Sequence, residues 1–141
     1  ASTLEQSTLL RLGAKPIDAS MYCEDRSEFE KYNDLVTLND KERADCEKIG
    51  RCPETMYRDD VAYDSLVWVE HNKDKTPGAG SCIFLHVEKG VGMPTAGCTS
   101  APRNDLAQLI GWLEPSKTPL LLQLPKAEYL ARQNGWVLPE L

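Results

Sequence analysis

The sequence has few of the features that direct a chain to a membrane or to nucleic acid. In its 141 residues no apolar run approaches the roughly 20 residues that cross a bilayer, so no membrane span is expected. Basic residues do not cluster and the net charge is −6, which disfavours nucleic acid as a partner. Repeats and low-complexity segments are missing too. The length then predicts a single domain over residues 1–141.

Cysteine, by contrast, is abundant. Five cysteines favour an oxidising compartment, which predicts a periplasmic or secreted protein, and their odd number leaves at least one thiol unpaired. Cys46 and Cys52 flank a turn at Gly50, and a disulfide between them is predicted, with Cys23 bonded to either one as the alternative. Their spacing is not that of a zinc site, so neither a metal nor another cofactor is expected.

Two short strands are predicted in the middle of the chain. Ser65 to His71 and Ser81 to Glu88 are both rich in β-forming residues. Because side chains alternate along a strand, Cys82, Phe84 and His86 share one face of the second strand. Cys82 and His86 are then about 13 Å apart at ~3.3 Å per residue, which is too far for a hydrogen bond. Cys82 is therefore predicted to be a core residue.

The second half of the chain predicts one firm helix. Four apolar residues after Pro102 recur at helical spacing, which gives a helix with one face on the core. Residues 41–49 are predicted as a short surface helix, and Leu120 to Leu124 as a third strand. The fold class predicted is mainly β with one firm helix. The four apolar residues are Leu106, Leu109, Ile110 and Leu113.

His86 and Cys98 are the candidate catalytic residues. A strand, a loop and a return can bring the thiol and the imidazole together, as a nucleophile and its base require. Gly97 allows a strained turn and a close approach of substrate, and the amides of Gly97 and Cys98 are natural oxyanion donors. A nearby N-terminus of the helix after Pro102 would lower the pKa of the thiol. The alternative is a small buried cysteine and a structural histidine.

Two further residues are candidates for the substrate side. Arg58 either forms a surface ion pair with a neighbouring acidic residue or grips a substrate carboxylate. His71, at the end of the first predicted strand, is either a second proton-transfer group or a strand-end residue. Sequence reasoning leaves both choices open.

The two segments around the candidate pair resemble a known family. Gly80-Ser81 to His86, followed by Thr95-Ala96-Gly97-Cys98, is similar to the active-site region of the L,D-transpeptidase (YkuD-like) family of cell-wall enzymes. The resemblance extends through Met56 to Asp60, Tyr63-Asp64 and Leu106 to Leu124, about half of the chain. Residues 1–55 resemble the family only weakly.

The resemblance implies a β-sandwich catalytic domain that acts on peptidoglycan stem peptides without a cofactor. The family's cysteine attacks the carbonyl of the diamino acid at the third stem position and expels the terminal D-alanine. Another stem's amine or water then resolves the acyl-enzyme. Carried over, Cys98 is the nucleophile and His86 its base, while Thr95 and Gly97 shape the oxyanion turn. Arg58, His71 and Ser81 join Thr95 as substrate-side residues.

One departure from the family pattern leaves the reaction open. The commonest box reads Ser-His-Gly-Cys, whereas Ala96 takes the place of that histidine here. Family members without it include hydrolytic enzymes, so an L,D-carboxypeptidase or endopeptidase is the alternative to a transpeptidase. A second hypothesis is not an enzyme at all: a secreted binding protein that retains an inactive form of the fold.

Overall fold

The computed structural model describes residues 4–141. In this range six short strands form two three-stranded sheets, in the orders β2-β1-β3 and β4-β5-β6, and four α-helices accompany them. Short 3-10 helices cover Val61–Tyr63 and Pro115–Lys117. The elements are α1 (Gln6–Arg11), β1 (Met21–Cys23), β2 (Leu35–Thr37), α2 (Asp40–Lys48), β3 (Glu54–Thr55), β4 (Leu66–Trp68), β5 (Phe84–Val87), β6 (Thr99–Ala101), α3 (Arg103–Trp112) and α4 (Lys126–Trp136).

The balance of helix and strand corrects the predicted fold class. Helices hold about 30% of the chain and strands about 13%, so the protein is mixed α/β and not mainly β. Its two small sheets do not define a clear β-sandwich. In the described part of the chain, no helix combines the length and the apolar character that a membrane crossing needs.

The second sheet positions the candidate site. Its central strand, β5, pairs antiparallel with β4 and parallel with β6. All four residues of β5 are buried. Leu85 and Val87 face α3, where they pack against Leu106 and Ile110. The predicted helix after Pro102, with its apolar face on a sheet, is confirmed.

Strand β5 begins later than predicted because the backbone before it cannot continue a strand. Gly80 and Cys82 have φ values of 93° and 56°, in the left-handed region. Cys82 is held there by its N–H, which donates to the side-chain oxygen of Asn33 over 2.8 Å. The extended run therefore starts at Phe84.

Two links join the two sheets. A disulfide connects Cys23 of β1 to Cys82, just before β5. The side-chain nitrogen of Asn33 donates to the carbonyls of His71 and Asn72, at 2.8 and 3.1 Å. Since Asn33 also accepts from Cys82, one amide holds three stretches of chain together.

The predicted Cys46–Cys52 disulfide is confirmed. The alternative, in which Cys23 bonds to either of those residues, is wrong, because Cys23 pairs with Cys82. Cys82 is buried, as predicted for a core residue, but its disulfide was not foreseen. The bridging cysteines are 59 residues apart, and no local pattern indicates such a pair.

The end of the chain differs from the prediction. Leu120 to Leu124 is not a strand, since it pairs with neither sheet, and Leu120 is 96% exposed. Prolines at 119 and 125 bracket this run and lack the N–H that a ladder needs. Helix α4 follows and has no buried residue. The surface helix predicted over 41–49 is confirmed as α2, which begins with a capping box between Asn39 and Glu42.

Candidate active site

Cys98 and His86 line one cavity of about 400 Å³. Residue pairing explains their proximity, because β5 and β6 are parallel and Ser100 lies opposite His86. Cys98 therefore lies diagonally from His86 on the same face, with Cα atoms about 8 Å apart from the usual strand spacing and rise. Because β5 and β6 are parallel, the chain between them crosses over instead of turning back as a hairpin.

Cys98 is the one unpaired cysteine among the described residues. Its sulfur accepts a hydrogen bond from the N–H of Phe84 at 3.4 Å and donates one to the carbonyl of Cys82 at 3.5 Å. Burial raises the pKa of the Cys98 thiol, and the charge of Glu54 raises it further. The N–H of Phe84 and the hydroxyl of Tyr63 act in the opposite direction. The resting group is thus a thiol, and its activation requires a base.

The expected help from a helix N-terminus is not realised. Strand β6 lies between Cys98 and Arg103, the first residue of α3. An extended run of this length places the helix about 15 Å further along the chain. A helix dipole acts mainly within its first turn, so α3 does not stabilise a thiolate at Cys98.

His86 has the tautomer that a general base needs. Its ring is 5% exposed, and Nδ1 lies 2.8 Å from the carbonyl oxygen of Val87. A carbonyl can only accept, so Nδ1 of the neutral ring carries the hydrogen and Nε2 carries the lone pair. The hydrogen bonds of Cys98 go to Phe84 and Cys82 and not to His86. Proton transfer from the thiol to Nε2 therefore requires a side-chain adjustment inside the shared cavity.

Tyr63 lies at the centre of the same cavity wall. Its ring meets the rings of Phe84 and His86 edge-on, with centroids 5.4 and 5.6 Å away. Its hydroxyl donates a hydrogen bond to Oε1 of Glu54. Burial and that carboxylate raise the pKa of Tyr63, which keeps the hydroxyl protonated.

Arg58 borders the cavity and forms the ion pair that was one of its two interpretations. Its Nε and Nη2 donate to Asp60 at 2.9 and 2.7 Å, and Lys89 approaches the same carboxylate at 3.1 Å. These hydrogen bonds hold the pKa of Asp60 well below its usual range. Because Nε and Nη2 of Arg58 both donate to Asp60, these two donors are not available to bind a substrate carboxylate.

Three of the predicted residues reach the cavity, one from the segment before β5 and two from the loop before Cys98. Ser81, Thr95 and Gly97 all line it. The hydroxyl of Thr95 donates to the carbonyl of Cys98, which closes the turn. Gly97 does not have a left-handed backbone, so the expected strained turn is wrong. A Cβ there would lie 3.3 Å from Cδ1 of Ile83, so close packing is what favours glycine.

His71 lies away from this group. Its Nε2 is 2.8 Å from the carbonyl oxygen of Ala79, so the imidazole closes the loop over 72–80. It lines neither the cavity around His86 nor the open cleft between Cys98 and Gln123. Of the four predicted substrate-side residues, His71 is the one that the structure does not bring to Cys98.

A second, open cleft of about 580 Å³ adjoins the cavity around His86 and shares Cys98 with it. The C-terminal segment forms one wall of it, held where the hydroxyl of Thr99 donates to Oε1 of Gln123 over 2.8 Å. Leu124 and Pro125 continue that wall. Cys98 thus lies where the cavity around His86 and the open cleft adjoin.

Sequence reasoning missed two residues of the site, Tyr63 and Glu54. Tyr63 lies within a segment that the sequence analysis singled out, but it was assigned no role there. Glu54 follows a proline in a region of weak resemblance and carries no signal of its own. Comparison of this chain with protein family models, with curated proteins and with solved structures finds no match.

Proposed function

We propose that this protein is a cysteine-dependent enzyme of the L,D-transpeptidase type that acts on peptidoglycan stem peptides. The observation that carries the proposal is the pairing of an unpaired thiol, Cys98, with a buried imidazole in one cavity. The carbonyl of Val87 leaves Nε2 of His86 free to accept a proton. The resemblance of both segments to the family supplies the substrate class.

The chemistry follows from these groups. Nε2 of His86 accepts the proton of Cys98, and the thiolate attacks the carbonyl of the diamino acid in the stem. The backbone N–H groups of Gly97 and Cys98 donate to the resulting oxyanion. When the tetrahedral intermediate collapses, the C–N bond breaks and His86 returns its proton to the departing D-alanine amine. An amine or water then attacks the thioester and releases Cys98.

The two spaces at Cys98 favour transpeptidation over hydrolysis. One stem peptide can occupy the cavity around His86 as acyl donor while the amine of a second approaches through the adjoining open cleft. Ala96 keeps the hydrolytic alternative in the test, because family members without a histidine there include hydrolases. Two disulfides support a periplasmic or secreted location.

Muropeptide mass spectrometry tests the proposal. The protein is incubated with a disaccharide tetrapeptide, and we expect crosslinked dimers together with an acyl adduct on the intact protein. Cys98→Ala should lose the adduct and at least about 10³-fold of the turnover. Tripeptide without dimers would identify the hydrolytic alternative.

The two histidines provide a matched pair of variants. His86→Gln should lower kcat by about 10²–10⁴-fold, the usual contribution of a general base. His71→Gln, outside both spaces, should leave kcat within about twofold once thermal melting shows that it is folded. Full turnover by Cys98→Ala would reject the assignment. A wild-type protein that neither turns over the substrate nor reacts with an alkylating reagent would favour the binding protein.

A further inference from the structure

We infer that Tyr63 and Glu54 act as a pair that controls the charge on Cys98. The hydroxyl of Tyr63 rests on the carboxylate of Glu54 and turns to the sulfur of Cys98 when the thiolate forms. Both are positioning residues in this scheme. The inference rests on the proposed role of Cys98 as nucleophile, and it assigns functions to two side chains that the proposed mechanism does not use.

Packing holds the ring of Tyr63 near Cys98, because the two residues belong to one apolar cluster and line one cavity. Tyr63 is buried, and its ring lies edge-on to Phe84 and His86. The guanidinium of Arg58 covers the ring, 5.1 Å from its centroid. The N–H of Phe84 itself donates to the sulfur of Cys98, which places the same aromatic cluster against the thiol. In this scheme the hydroxyl turns from Glu54 towards Cys98 within the shared cavity.

The charges around the cavity make Glu54 the influential one. Arg58 and Lys89 are both paired with Asp60, so two positive charges share one carboxylate on that wall. Asp25 also lines the cavity, and His86 is its remaining titratable neighbour on β5. Among residues 4–141, Glu54 has the hydroxyl of Tyr63 but no cation within ion-pair distance. Burial raises the pKa of Cys98 most and the charge of Glu54 raises it further, whereas the N–H of Phe84 and the hydroxyl of Tyr63 lower it.

Only the proton of Cys98 is transferred in this switch. In the resting site Tyr63 donates to Oε1 of Glu54, and the carboxylate disfavours a second negative charge on the sulfur. When Cys98 gives its proton to Nε2 of His86, Tyr63 remains protonated. Its hydroxyl then donates a hydrogen bond to the thiolate instead of to Glu54. A hydrogen bond to a charged sulfur stabilises it more than one to a neutral thiol. The pair thus keeps the idle cysteine protonated and supports it once deprotonated.

The pH profile of Cys98 alkylation tests the inference without any peptide substrate. Iodoacetamide is applied over a pH series to the wild type, Glu54→Gln and Tyr63→Phe, and adduct formation on the intact protein is timed by mass spectrometry. Cys98 is the one free cysteine in the described range 4–141, so a single adduct reports it. Glu54→Gln should shift the profile down by about one pH unit because a like charge is removed. Tyr63→Phe should shift it up by about one unit because a donor is lost.

The opposite signs separate a switch from a merely structural role. Damage to the site would move both variants in the same direction, and that result, or no shift in either, overturns the inference. In the Tyr63→Phe background the Glu54→Gln shift should shrink, since the released hydroxyl is no longer there to serve the thiolate. If Tyr63→Phe does not fold, Glu54→Gln decides alone, and an unchanged or raised profile overturns the inference.

Matched variants outside the cavity complete the experiment. Tyr57→Phe and Glu70→Gln make the same chemical changes at exposed positions and should leave the profile unchanged. The result is also independent of the proposed reaction. Opposite shifts in a protein that does not process muropeptides would reject the proposed function and uphold the inference. Turnover together with unshifted profiles would do the reverse.

Discussion

At the scale of single residues, Asp60 organises one wall of the candidate site. Its carboxylate accepts from Arg58 and Lys89, and also from the N–H of Ala62 at 3.1 Å, which begins the 3-10 helix that carries Tyr63. These hydrogen bonds and charges hold the pKa of Asp60 well below its usual range. A group whose pKa falls on folding contributes stability only where it is ionised in the folded protein.

Asp60→Asn should therefore destabilise the protein in a pH-dependent way. Asparagine keeps an oxygen for the N–H of Ala62 but loses the charge, and since Asp60 is partly exposed we expect a loss of about 1 kcal/mol or less. The loss should be constant above about pH 5 and should vanish as the pH falls below about 4, through the lowered pKa of Asp60. Urea unfolding of both proteins between pH 2.5 and 7, in roughly half-unit steps, measures it. A difference that grows in acid would contradict the prediction.

At the scale of elements, the two disulfides differ in the length of chain that they close. Cys46–Cys52 closes a loop with a sequence separation of 6, and Cys23–Cys82 one of 59. Because closing a longer loop restricts the unfolded chain more, the second bond is expected to contribute more stability.

Serine pairs at each disulfide check this expectation. Cys46→Ser with Cys52→Ser should cost about 2 kcal/mol, and Cys23→Ser with Cys82→Ser about 4 kcal/mol. The second pair should also slow Cys98 alkylation or turnover, because the carbonyl of Cys82 contacts the sulfur of Cys98. Equilibrium unfolding in urea gives both free energies. Equal costs for the two pairs would show that loop length does not govern their effect.

Elements with strong local signals were predictable from the sequence, and elements defined by their partners were not. Helix α3 has apolar residues at helical spacing, and α2 begins with an Asn39 cap, so neighbouring residues alone indicate both helices. Strands β1, β3 and β6 have only two or three residues, and tertiary pairing alone defines them. The leucines of 120–124 suggested a strand but found no partner.

The candidate site also contains residues that the sequence indicated and residues that only the tertiary fold brings there. His86 and Cys98 could be proposed because both lie in segments that resemble a family, and one cavity does contain them. Glu54 reaches the cavity from the first sheet, and the contact of Tyr63 with it depends on how the two sheets pack. His71 kept two interpretations in the sequence analysis because a strand-end position does not reveal which way the following loop folds.

At the scale of the whole molecule, helix α4 is attached to the rest with little burial. None of its residues is buried, and its tail folds back on itself where Tyr129 and Gln133 donate to the carbonyl of Pro139. A variant that ends at Pro125 should therefore unfold within about 1 kcal/mol of the full chain. It retains Gln123 and hence the wall of the open cleft.

Thermal and urea unfolding of the two chains make the comparison. A matched variant that ends at Lys117 also removes the cleft wall, and it should lose transfer to an acceptor amine while it still alkylates at Cys98. Loss of cooperative unfolding in the Pro125 variant would show that α4 is part of the core.

The amide of Asn33 has a consequence for the lifetime of the folded protein. One nitrogen donates to two carbonyls, and the oxygen beside it accepts from Cys82. Spontaneous deamidation would put a carboxylate in that place, and the two contacts made by the nitrogen would turn from attraction to repulsion. A single chemical change at this position would then loosen the junction of the two sheets.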